Sequence, residues 1–163
     1  MTPTDYFADS ILRMLDFLKT SVADLSDAEL MIRPVPGANH GIWQLGHLAV
    51  SDHRLVSMAK PGVMPELPAG FAERFSKETC KNDDPNAFGK KEDILEVLTK
   101  QRTAGANWVK TLSAKDLEQP ITGPMAARLP TVGHVVNLLP THVAMHLGQI
   151  QVLRRKLGKP ILF

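Results

Sequence analysis

The chain has 163 residues, 44% of them apolar and 22% charged, with a net charge of +2 at pH 7 and one cysteine. It is long enough for one domain (1–163) with one good core, too apolar for a disordered chain, and lacks the clustered basic stripe of a nucleic-acid binder. One cysteine excludes a disulfide framework and a thiolate zinc finger. The N-terminal apolar residues are interrupted by Asp5, Asp9, Arg13 and Asp16, and no apolar run reaches bilayer-spanning length. A signal peptide and a membrane span are therefore not expected, and the expected setting is cytoplasmic.

Residues Tyr6 to Leu25 carry Phe7, Ile11, Met14, Leu15, Leu18 and Val22 at spacings of three and four, which predicts an amphipathic helix capped by Thr4. Ser26-Asp27-Ala28-Glu29 has the capping-box pattern and should start a short turn. After Pro34 and Pro36-Gly37, a second helix is expected from Ile42 to about Met58, stopped by Pro61-Gly62. It carries His47 and His53, which lie roughly 240° apart around a helix and cannot face one ion. His53, between Asp52 and Arg54, reads as a solvated face, and Gly46 leaves room for another element to approach beside His47.

Residues 61–88 are irregular, with four prolines and at most one helical turn at Phe71–Phe75. A segment this long without a period is expected to be functional or mobile. Cys80 within it has no flanking histidine or paired cysteine and reads as an ordinary thiol. A third helix is expected over Lys91–Leu112, followed by a second serine-led turn at Ser113. Thr131 should cap the fourth helix, which runs to Leu157 and ends at Gly158. Pro140 lies inside it, and an interior proline costs about 3 kcal/mol, so a kink or two segments are expected just before His142. Four long helices without a convincing strand predict an all-α, antiparallel four-helix bundle.

His142 and His146 stand four residues apart on that last helix, where Cβ atoms are roughly 5–6 Å apart and both rings can tip toward one point. The spacing alone fits two half-buried helix histidines equally well. His47 is the best third candidate, provided the second and fourth helices are neighbours. His134, two turns earlier at ~1.5 Å per residue, is too far to share an ion but could line the same groove. Val143 stands where a His-Glu-x-x-His motif has its glutamate, which argues against a zincin protease.

Two motifs resemble the DinB superfamily of four-helix bundles, related to thiol-dependent S-transferases. One is Arg33-Pro34-Val35-Pro36-Gly37 with Ile42-Trp43-Gln44-Leu45-Gly46-His47-Leu48-Ala49; the other is His142-x-x-x-His146-Leu147-Gly148-Gln149-Ile150. The resemblance covers nearly the whole chain and departs from the family pattern at Pro140. It implies a three-histidine site for a divalent metal at His47, His142 and His146, and a homodimer. Three neutral imidazoles suit a catalytic zinc with an open position, and also nickel, iron or manganese. The expected activity is that of a metal-dependent thiol transferase-like or hydrolase-like enzyme, acting on a small-molecule substrate with a low-molecular-weight thiol. The alternatives are a non-catalytic stress-response bundle binding metal or a small molecule, and a metal-free structural dimer. No general base is assigned. Ser51 and Gln149 are candidates to support the ligands, and Trp43, His134 and residues 61–88 to line the groove.

Overall fold

In a computed structural model that describes residues 2–162, the chain forms seven α-helices and no named strand among those residues: α1 Pro3–Val22, α2 Asp27–Leu30, α3 Gly41–Ala59, α4 Phe71–Arg74, α5 Lys91–Lys110, α6 Ala114–Leu117 and α7 Val132–Lys156. A 3-10 turn spans Lys77–Thr79. The four long helices form a bundle in which α1 and α3 each pack between α5 and α7. The first helix starts earlier than expected. Thr2, not Thr4, is its N-cap, with its hydroxyl accepting from Asp5 N and the Asp5 carboxylate accepting from Thr2 N; Thr4 is buried. The Ser26–Glu29 and Ser113–Asp116 capping boxes both form and start α2 and α6.

Cross-helix contacts fix the helix directions. Between α3 and α7, Gly41 approaches Leu153 and Gln44 meets His146, so one helix ascends as the other descends. Between α1 and α5, Ile11 meets Arg102 while Lys91 Nζ donates to the Val22 and Leu25 carbonyls, again antiparallel. That lysine also caps the C-terminal end of α1, where a cation complements the helix dipole. The other two neighbouring pairs run parallel. Asp52 and Val56 of α3 face Arg102 and Gly105 of α5, and Ile11 and Ser21 of α1 share partners with, or bond to, Leu139 and Gln151 of α7. Parallel neighbours need a connection that travels the bundle's length. Residues 60–90 supply it, which is why this stretch is long and proline-rich.

Pro140 does not divide α7, which is one helix of 25 residues. Side chains bond to carbonyls on either side of the proline: Thr141 Oγ1 donates to Asn137 O at 2.9 Å, and the Arg102 guanidinium donates to Leu139 O at 3.3 and 3.2 Å. Gly158, at φ 68°, then ends α7, with Gly158 N donating to Arg155 O and Lys159 N to Arg154 O.

Arg102 joins all four long helices. It lies at 1% exposure and donates to Ile11 O of α1, to Asp52 of α3 at 2.8 Å and to Leu139 O of α7. Asp52 is therefore not on a solvated face, as its neighbours in sequence suggested. It sits on the buried stripe between Ala49 and Val56, and burial outweighs the guanidinium to raise its carboxyl to about 6. Of its neighbours, His53 is half-buried against Gln101, and only Arg54 is exposed.

Candidate metal centre

Because α3 and α7 are antiparallel neighbours, His47 faces the turn of α7 that carries His142 and His146. Nitrogen atoms of the three rings all lie within 4.8 Å of one another. His142 Nε2 and His146 Nε2 are 3.1 Å apart, close to the ~3.3 Å that two imidazole nitrogens keep on one tetrahedral zinc ion at ~2.0–2.1 Å. Gly46 lets the crossover close over α3 beside His47: a Cβ there would lie 2.3–2.4 Å from ring atoms of Phe75. Trp43 stacks on His47 with centroids 4.6 Å apart and planes 12° from parallel. Its indole Nε1 donates to Ser76 O at 3.1 Å, so α3 holds the His47 ring from one side and the crossover holds the tryptophan.

The protonation state is set by burial and by Gln44. Burial first, then the neighbouring imidazoles, lowers His146 to about 3; Gln149 acts the other way and is outweighed. Burial, His142, Lys77 and Arg54 lower His47 to about 4, and burial and Arg102 lower His142. All three rings are neutral near pH 7, as metal ligands must be. The Gln44 amide donates to Asn39 O at 2.8 Å, which leaves its Oε1 to accept the Nδ1–H of His146 at 3.0 Å. That bond places the His146 proton on Nδ1 and turns the Nε2 lone pair toward the other two rings. Ser51 Oγ lies 3.4 Å from His47 Nε2, and His142 Nδ1 is buried without a partner among the described residues. The donor set thus fits a divalent cation that accepts neutral nitrogen ligands.

The rings of His47 and His142 look into a groove of about 760 Å3 between α3, the crossover and the start of α7. Ser76, Lys77 and Glu78 of the crossover line it, as expected of that segment. Trp43 and His134 do not. The indole is buried behind His47, and His134 is exposed and bonded to Thr131 Oγ1 at 2.8 Å. Gln44 was missed in the sequence, although its place beside Gly41 and Leu48 on the inner face of α3 carries a signal: a fully buried amide needs a partner.

The sequence profile of the DinB superfamily matches residues 12–150. A comparison with curated proteins finds no match. Among solved structures, YfiT from Bacillus subtilis, described as a probable metal-dependent hydrolase with an unusual four-helix bundle topology, aligns over 98% of this chain and 91% of its own at 17% identity, with a TM-score of 0.70. A conserved protein from Enterococcus faecalis aligns over 98% of this chain and 99% of its own at 16% identity, also with a TM-score of 0.70. At these identities the likeness establishes the fold.

Proposed function

The chain belongs to the DinB superfamily, and on that footing we propose that it binds one divalent metal ion through His47, His142 and His146 and acts on a small molecule held in the adjoining groove. The observation that carries this reading is the convergence of three neutral imidazoles, within 4.8 Å, at the wall of an open groove. A bound ion with three neutral ligands would keep its full charge and an open position, and would acidify a water or thiol taken up there. The protein's own part is to hold the ligands. Gln44 fixes the His146 tautomer, Trp43 fixes the His47 ring plane, and Phe75, Leu129 and Leu138 give the groove beside the rings an apolar wall. Two reactions suit this arrangement: transfer of a low-molecular-weight thiol, as the family relationship implies, and hydrolysis, as described for YfiT.

The test is metal content by mass spectrometry on untagged protein, beside His47→Ala and His142→Ala variants. One ion per chain is expected, lost in either variant. Retention of stoichiometric metal by His142→Ala would sink the ligand set. Zinc, nickel, iron and manganese are then loaded in turn and assayed for thiol consumption and ester hydrolysis. Full metal occupancy without turnover by any of them would favour a non-catalytic binding bundle.

A further inference from the structure

We infer that the groove beside the three histidines selects a small molecule that carries an oxyanion, a carboxylate or phosphate, next to an apolar part. Three cations line it, from three separate elements: Arg54 of α3, Lys77 of the 3-10 turn and Arg128 of the loop before α7. They face a single lining carboxylate, Glu78. Exposed cations elsewhere, such as Lys90, Lys110 and Arg155, point from scattered positions on the surface, whereas these three converge on one cavity. Among the described residues none of the three groove cations has an ion-pair partner within 4.0 Å. Arg54 and Lys77 act on Glu78 and on His47 through space, so their charge is felt at the site itself.

Apart from Ser51, Ser76 and the two histidines, the rest of the lining is apolar. Val50, Leu55, Leu129 and Leu138 give the groove a hydrophobic wall, with Met125 and Met145 at its margin. A cationic rim above an apolar wall is complementary to an amphiphilic anion. It disfavours a cation by repulsion and offers a neutral ligand the wall alone. The inference rests on the groove being the route to the histidines, and it does not require the ion.

The test compares two dyes with the same ring system, 8-anilinonaphthalene-1-sulfonate and uncharged N-phenyl-1-naphthylamine, titrated by fluorescence into metal-free and zinc-loaded protein. With three partly exposed cations the sulfonate should bind roughly tenfold tighter, and the preference should shrink as salt is raised. The triple variant Arg54→Gln, Lys77→Gln, Arg128→Gln should lose the preference and keep the binding of the neutral dye. A control with Lys90→Gln, Lys110→Gln and Arg155→Gln, exposed positions outside the groove, should keep it. Competition by hexanoate and by hexyl phosphate then tells which oxyanion is preferred. Equal binding of the two dyes, no binding of either, a preference that survives the triple variant, or displacement by neither competitor would each overturn the inference. Metal content is measured on the same samples. In the wild-type protein, no dye preference with metal bound defeats the anion subsite alone, and absent metal with the preference intact defeats the metal reading alone.

Discussion

Gln44 Oε1 accepts the Nδ1–H of His146 at 3.0 Å, from a buried amide whose own NH2 is committed to Asn39 O. The orientation of one proposed ligand is thus decided by a residue on the opposite helix. Gln44→Leu should leave the helices in place and weaken zinc binding by roughly 10–100-fold, the usual effect of removing the group behind a ligating histidine. Gln44→Glu, which keeps an acceptor, should recover most of that loss. A competition titration with a zinc-binding dye reads both, and unchanged affinity in Gln44→Leu would remove Gln44 from the site.

Gly46 gives a prediction whose sign is informative. On an exposed helix, glycine to alanine stabilises by up to ~1 kcal/mol. Here the added methyl meets the Phe75 ring, itself packed against Phe71 and Phe88 with centroids 4.7 and 5.6 Å away. Gly46→Ala should therefore destabilise by about 1–3 kcal/mol, the range for overpacking. The Gly46→Ala/Phe75→Ala pair should be less destabilised than the sum of its single changes in urea unfolding. Additivity would show that the ring yields without strain.

The pH dependence follows from the depressed histidines. His47 at about 4 and His146 at about 3 lie below the ~6.5 of an unfolded imidazole, so between these values the unfolded chain binds more protons. Their contribution is complete above pH 6.5 and is lost as the pH falls through 6.5 toward 4. Asp52, raised to about 6, works in the opposite sense, since its burial becomes less costly as it protonates. The discriminating quantity is thus the difference between metal-free wild type and a His47→Gln/His146→Gln variant, followed by urea unfolding from pH 7.5 to 4.5. The variant should lose less stability over that interval; parallel curves would contradict the assignment.

Arg102 offers the largest expected effect on stability. Removing one partner of a buried ion pair costs roughly 3–5 kcal/mol, because the other charge is left without compensation. Arg102→Met strands Asp52 and frees the Ile11 and Leu139 carbonyls. Pairing it with Asp52→Leu should return part of the loss. Thermal unfolding of the two variants checks this; an Arg102→Met protein as stable as wild type would show that the four-helix junction contributes little.

The helices, their capping boxes and the two histidines at spacing four were legible because each is a local pattern read along one face of one helix. The pairing of His47 with them was legible only on the condition that the second and fourth helices are neighbours, which the family motif implies and periodicity cannot supply. Arg102 and Asp52 were passed over although both occupy apolar stripes, Leu98-Arg102-Gly105 and Ala49-Asp52-Val56. Periodicity places a side chain on the inner face but does not say that a charge there has met its counter-charge 50 residues away. Trp43 was expected in the groove for its chemistry, yet its N–H needed an acceptor, and with Ser76 O supplying one the indole lies buried against His47. The direction of α5 relative to α3 was hidden for a related reason: the crossover reads as an irregular run without a period until its two ends are seen at opposite ends of the bundle.

With one histidine on α3 and two on α7, an ion held by all three would also be a cross-link. It would close a loop of chain from residue 47 to residue 142, tying the helix that precedes the crossover to the one that follows α5. Free ion at a thousandfold excess over its dissociation constant would add about 4 kcal/mol to the folded state. Metal supply would then set how long the folded protein survives proteolysis.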